Sequence, residues 1–204
     1  MREEIKIKIL QALLEEVTKK YDDSIAEKEK LLQKTFEMAV NDSLTGLYNR
    51  QYMQNYLLNL IKKAKRNKNE KFAVIFLDLD NFKYVNDNFG HNKGDEVLKK
   101  VANILKNSFR EYDLVSRYGG DEFVVIVESP FVEILDKLEE RLRNAVKEEF
   151  KNLGISISIG FSYFPNDINY NLENEEEIIK KLLNIADNRM YENKRKRKKD
   201  KKLS

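Results

Sequence analysis

The stretch Leu114–Val127, LVSRYGGDEFVVIV, decides how this chain folds. Gly119 and Gly120 permit the positive φ angles of a tight two-residue hairpin. The residues before them, 113–118, read as one short strand, and the apolar run at 123–128 reads as another. Asp121 and Glu122 then stand at the hairpin tip. A turn that carries two adjacent carboxylates at the end of an apolar ribbon needs a reason.

Outward from the hairpin, strand and helix patterns alternate. Upstream, 71–79 (KFAVIFLDL) reads as a buried strand, and 93–108 has helical spacing through Val97, Val101 and Leu105. Downstream, 131–147 is helical through Leu138, Leu142 and Val146, and 155–163 (ISISIGFSY) alternates as a strand does. A helix over 174–194 follows. The order strand, helix, strand, strand, helix, strand is the split β-α-β pattern of an α/β (α+β) ferredoxin-like fold. In such a sheet the first and third strands are neighbours at the centre. That places the hairpin's acids close to the end of the strand at 71–79.

The first forty residues are unlike the rest. They contain no Gly and no Pro, and apolar residues recur at Ile7, Leu10, Leu14, Val17, Tyr21, Ile25, Leu32, Phe36 and Ala39. This predicts a helix with a narrow apolar seam flanked by charge, suited to a short coiled coil with a second copy and interrupted by a stutter. A break follows at NDSLTGLYNR (41–50), where Asp42 or Ser43 can cap the next helix and Gly46 allows a bend; that helix should run to about Arg66. The expected organisation is therefore a helical segment at 1–41, a domain at 42–194 and a basic tail at 195–204.

Composition narrows the function classes. There is no cysteine, which excludes disulfides and thiolate-bound metal. The apolar run FAVIFL is too short to cross a bilayer, so a soluble, cytoplasmic protein is expected. The chain carries +3 overall, yet residues 193–204 hold eight Lys/Arg against one Asp, leaving the rest of the chain at −4. An acidic body with a solvated basic end does not suggest a nucleic-acid surface.

The strand at 71–79 runs into DLDNFKYVNDNFGHNKGDEV, where Asp78 and Asp80 lie two apart and share one side of the strand. Two carboxylates there repel unless a cation lies between them. Mg²⁺ suits such a place, since it takes one or two protein carboxylates and completes its shell with water and phosphate oxygens. Lys83 offers a positive charge to a phosphate, while Asn86 and Asp95 offer an amide and a carboxylate to a base edge. With Asp121 and Glu122 on the neighbouring strand, three or more carboxylates can gather around one or two Mg²⁺ ions, an arrangement for in-line attack at phosphorus.

With DSLTGLYNR, DLDNFKYVNDNFGHNKGD, RYGGDEF, ISISIG and ADNRMYENK in this order, residues 42–194 resemble the GGDEF domain of diguanylate cyclases. The resemblance implies that two GTP molecules, one per protomer of a homodimer, are joined into cyclic di-GMP with release of two pyrophosphates. It implies that Asp78, the Leu79 carbonyl, Asp121 and Glu122 hold Mg²⁺, with Mn²⁺ as an alternative. Asp121 is implied to take the proton from the attacking 3′-hydroxyl, and Lys83 to stabilise charge on the phosphates. Asn86 and Asp95, with His91 nearby, resemble the guanine readers, and Lys194 resembles a phosphate-binding lysine. In REYD, Arg110 and Asp113 resemble an inhibitory site for the product, with Arg141 as a second arginine. Arginine forks suit guanine and phosphate.

One departure stands out. The family carries a glycine and an arginine where this chain has Arg197 and Lys198, so charge is kept near the last phosphate contact but the glycine's freedom is lost. An alternative function is a catalytically silent module that senses cyclic di-GMP or GTP; against it, the glycines and acids of the signature are all present. Forty residues of helix are too few for a sensor domain, so the input is expected from an upstream segment or from a partner acting on that helix.

Overall fold

The computed structural model describes residues 2–67, 70–129, 132–168 and 174–203, without the side chains of 132–134, 136 and 198–203. It divides into two units, the helix up to Val40 and everything from Asn41 onward. The first unit is α1 (Arg2–Val40), and none of its described residues is buried. Its seam lies open: Leu10, Leu14, Val17, Tyr21 and Leu32 are all exposed.

The second unit comprises β1 (Tyr48–Asn49), α2 (Arg50–Arg66), β2 (Phe72–Asp80), α3 (Phe82–Phe89), α4 (His91–Ser108), β3 (Leu114–Gly119), β4 (Glu122–Glu128), α5 (Val132–Glu149), β5 (Ser156–Phe164) and α6 (Glu175–Leu203). The sheet order is β1-β3-β4-β2-β5. β2 pairs antiparallel with β4 on one side and with β5 on the other, and β3 pairs antiparallel with β4. The split β-α-β order expected from the sequence is present, with β2 and β4 adjacent at the centre.

Alternation along the strands divides the core in two. Ala73, Ile75, Leu77 and Leu79 join Phe123 and Val125 in a layer beneath α4 and α5. Phe72, Val74 and Phe76 join Val124 and Ile126 in a layer beneath α2 and α6. Asp78, Asp80 and Glu122 continue that second alternation, so they face the α6 side. A close approach fixes α6 there. A Cβ on Gly160 of β5 would meet Ala186 O at 2.1 Å and Met190 N at 2.3 Å, so only glycine lets helix and strand come this near.

The structure adds elements the sequence did not show and corrects some expectations. The polar stretch after β2 is a helix, α3, because Phe82 and Val85 bury one face of it and Gly90, at φ 82°, separates it from α4. Two residues, Tyr48 and Asn49, form a parallel edge strand on Ser116 and Arg117 of β3; a strand this short has no periodicity to read. Neither Asp42 nor Ser43 caps α2: the cap is Asn49, whose side chain accepts from Tyr52 N at 2.9 Å. The hairpin loop is Gly120–Asp121, one residue later than expected, since Gly119 pairs with Glu122 in the ladder. Only Gly120 takes a positive φ, 54°. The basic end continues α6 as far as Leu203 instead of fraying at 194; Lys and Arg are good helix formers, and no Gly or Pro interrupts them.

Candidate active site

Strand pairing brings the predicted acids together. Asp78 on β2 is the register partner of Glu122 on β4. The next residue along β2, Leu79, donates its backbone N–H to Asp121 O at 3.3 Å, so the hairpin loop lies against the end of β2. A register shift between Arg117 and Gly119 leaves Tyr118 as an extra residue on β3. Such a bulge increases the local twist and re-aims the chain next to it, here the turn.

Arg117 holds that turn. Its Nε and Nη2 donate to Gly120 O at 3.0 and 2.8 Å, and Nη1 reaches both Asp42 carboxylate oxygens at 3.2 Å. Asp42 also accepts from Thr45 N and Thr45 Oγ1. Burial pushes the Asp42 carboxyl up, but these hydrogen bonds and the Arg117 charge outweigh it and hold the group below the usual carboxylate range.

The electrostatics of the acids are opposite in sign. Burial raises Asp78, Lys194 offsets part of that rise, and the charges of Asp121 and Asp80 add to it. Burial likewise raises Glu122, reinforced by Asp78, Asp121 and Asp187, while Arg50 works against it. These groups resist ionising together, and a divalent cation would relieve them. Among the described residues no three acidic or histidine side chains converge into a finished metal cage. The donor set fits an ion that takes one or two protein carboxylates and completes its shell from a nucleotide's phosphates and water, as Mg²⁺ does.

The base-side candidates lie on α3 and α4. A Cβ on Gly94 would fall 1.9 Å from Asn86 Oδ1 and 3.2 Å from Phe82 Cζ, so the glycine makes the space into which the Asn86 amide fits. Asp95 follows Gly94 directly in the first turns of α4. His91, the first residue of α4, is exposed, as are Asp95 and Lys83, which lies on α3.

Lys194 is at the carboxylate end. Its ammonium donates to Asp78 Oδ1 and lies 3.2 Å from Asp80 Oδ1. Burial lowers its pKa, but the two carboxylates outweigh that and hold it above the usual value. Arg197 donates to Ile157 O at 2.9 Å and approaches Asp80 Oδ2 at 3.5 Å. The side chain of Lys198 lies outside the described residues.

Arg110, Asp113 and Arg141 meet elsewhere. All three line one groove of about 330 Å³ together with Ser108, Leu135 and Leu138. Asp113 Oδ2 accepts from Arg110 N at 3.0 Å, and Arg141 Nη2 donates to Ser108 O at 2.7 Å. Burial raises the Asp113 carboxyl, partly countered by the backbone N–H of Arg110.

Four contributors escaped sequence reasoning. Arg50 places its guanidinium 4.2 Å from the Tyr118 ring centroid and acts on Glu122; an arginine at a helix start has no distinguishing pattern. Asp187 acts on Glu122 from α6. Ser156 and Ser158 both donate to Asp80. Their alternation in ISISIG marked a strand and gave no hint of the partner.

The chain is similar to known proteins. The family described as diguanylate cyclase, GGDEF domain, matches residues 39–200. The response regulator PleD of Caulobacter vibrioides is 40% identical over 138 residues, which is 64% of this chain and 30% of PleD. Diguanylate cyclase DgcS of Shewanella oneidensis is 43% identical over 124 residues, 60% of this chain and 41% of DgcS. The chain thus spans less than half the length of either relative. Among solved structures, the coiled coil and GGDEF domain of DgcB from Caulobacter crescentus, in complex with c-di-GMP, superposes with a TM-score of 0.71 at 27% identity, covering 88% of this chain and 94% of that one.

Proposed function

The chain belongs to the GGDEF family of diguanylate cyclase domains, and from that premise we propose that it condenses two GTP molecules into cyclic di-GMP with release of two pyrophosphates. The observation that carries the reading is the register pair Asp78–Glu122 with Asp121 in the adjoining turn: three carboxylates, two of which resist ionising, at the open end of a buried sheet. Such a site is built to bind cationic charge and to present it to phosphate oxygens.

Asp78, the Leu79 carbonyl, Asp121 and Glu122 would hold Mg²⁺, or Mn²⁺ in its place, which when bound supplies positive charge to the phosphoryl group under attack. The protein's own residues do the rest. Asp121 accepts the proton of the attacking 3′-hydroxyl, and Lys83 with Lys194 offsets charge on the phosphates. The Asn86 amide, seated against Gly94, and the Asp95 carboxylate hydrogen-bond the guanine edge, with His91 at the rim.

Each GTP supplies one 3′-hydroxyl and one phosphorus under attack, and one site aligns only one of these. Two copies facing each other complete the pair, and the open seam of α1 suits their association in a homodimer. The groove of Arg110, Asp113 and Arg141 is the product's inhibitory site: its two arginines match the guanines and phosphates of cyclic di-GMP. Purified chain incubated with GTP and Mg²⁺ should yield cyclic di-GMP and two equivalents of pyrophosphate per product, read by mass spectrometry and a pyrophosphate assay. Recovery of GDP, or of unchanged GTP, overturns the reading.

A further inference from the structure

Two carboxylates share one face of β2, and the structure treats them differently. Asp80 is buried and fully engaged. Ser158 Oγ donates to its oxygens at 2.9 and 3.0 Å, Ser156 Oγ donates at 2.9 Å, and the Arg197 guanidinium lies 3.5 Å away. Among the described residues, only the Lys194 ammonium donates to the Asp78 carboxylate. That same ammonium reaches Asp80 at 3.2 Å, so it stands between the two acids. The side chains of Lys194 and Asp78 are 22% and 16% exposed, so water screens the pair poorly.

Resting on the reading of Asp78 as a metal ligand, we propose that Lys194 is a resident counter-ion of the metal site. It neutralises the Asp78 carboxylate until a divalent cation takes its place there. It then turns to the nucleotide's phosphates while Asp80 keeps its stem in place. A divalent cation and an ammonium held on the one Asp78 carboxylate would repel at short range, so one would displace the other. The swap is costly for a bare ion. It becomes favourable when a triphosphate arrives with the cation, because the displaced ammonium gains an anionic partner at once. Metal and nucleotide therefore bind cooperatively.

Arg197 gives the swap its chain-specific form. The position resembles one that is glycine in the family, yet here a guanidinium spans Ile157 O and Asp80. Asp80 thus has a cation of its own that remains when Lys194 turns away. Without Arg197, moving Lys194 would strip Asp80 of its only compensating charge among the described residues. Asp80 and Arg197 are positioning residues in this scheme and need touch neither metal nor substrate.

The test measures Mn²⁺ binding without nucleotide, by electron paramagnetic resonance of the free ion. Parent and Lys194→Gln are compared, each also carrying Asp78→Asn. Lys194→Gln should bind Mn²⁺ at least about tenfold more tightly than the parent, on the scale of a lost short-range repulsion, and Asp78→Asn should abolish the gain. Equal or weaker binding by Lys194→Gln overturns the proposal while leaving the metal site intact. Binding indifferent to Asp78→Asn in both backgrounds overturns the metal assignment and the proposal with it. A second measurement needs no charge-altering variant. In the parent labelled at lysine ¹³Cε, the Lys194 resonance should move in step with Mg²⁺ saturation. Saturation that leaves it unmoved overturns the swap.

Discussion

The two ends of β3 bear opposite chemistry. At its start, Asp113 and Arg110 open a groove shared with Arg141, rich in guanidinium and lined by apolar side chains. At its finish, Gly119 and Gly120 deliver two carboxylates to the end of β2. The first site is assembled from the segment just before β3, the end of β4 and three residues of α5, Leu135, Leu138 and Arg141. The second draws on β2, the hairpin and α6, and its Lys194 lies 116 residues from Asp78. One strand thus connects a cation-rich site to an anion-rich one. The groove should tolerate loss of a member with reduced affinity. The carboxylate end, where charges compensate one another, should fail outright.

The largest contrast comes from the carboxylate end. Asp121→Ala should abolish cyclic di-GMP formation, because proton acceptor and metal ligand vanish together. It should melt no lower than the parent in metal-free buffer, because Asp121 pushes against Asp78 and Glu122 in the folded state. Measurable turnover, or a marked fall in melting temperature, would break the assignment.

Arg110→Ala sharpens the other half. It should weaken cyclic di-GMP binding at least about tenfold, since each charge-assisted bond contributes roughly 1.5–3 kcal/mol. Initial velocity in the absence of product should stay close to the parent's. Calorimetric titration with the active site blocked by a non-hydrolysable GTP analogue reads the first, and early progress curves read the second. Unchanged affinity for the product would remove the groove from the account.

Deleting residues 1–40 addresses how two carboxylate ends meet. Specific activity of the shortened chain should fall steeply on dilution, whereas the full chain should hold its activity over the same range. Constant activity from a chain shown by light scattering to be monomeric would contradict pairing through α1.

A smaller effect concerns the brace beneath the hairpin. Asp42→Asn should cost about 1.5–3 kcal/mol, the range for hydrogen bonds to a charged group, read as a lower midpoint in urea. The sign of the pH dependence follows from the lowered carboxyl of Asp42. A group depressed on folding stabilises above its unfolded pKa and loses that contribution as pH falls through the folded value. The stability gap between parent and Asp42→Asn should therefore be full at pH 7 and close below about pH 4. A gap that persists in acid would mean that the Thr45 and Arg117 contacts do not depend on the Asp42 charge.

How far the sequence could be read follows the same division. The strand order was legible because each strand is an apolar run or an alternation bounded by turn residues, and the hairpin carries its own glycines. The acids were legible because carboxylates ending apolar runs are chemically out of place. Lys194, by contrast, lies in the basic end of α6, and only the family resemblance marks it off from Lys196; what it touches depends on how close α6 lies to β5, which the Gly160 contact sets. Arg50 and the two serines around Asp80 were hidden for a similar reason, since their roles exist only across paired strands or stacked elements. β1 was invisible because two residues carry no period, and α3 because its short amphipathic face lies within a run of Asn and Asp that reads as a turn.

The central claim is that the carboxylate end of one chain is half of a reaction centre. Parent and Asp121→Ala chains should be mixed at constant total concentration, allowed to exchange partners, and assayed for cyclic di-GMP. If product needs an intact site from each of two copies, rate should follow the square of the parent fraction, so an equal mixture retains about a quarter of the parent rate. A rate that falls in simple proportion to the parent fraction, about half at equal mixing, would contradict it.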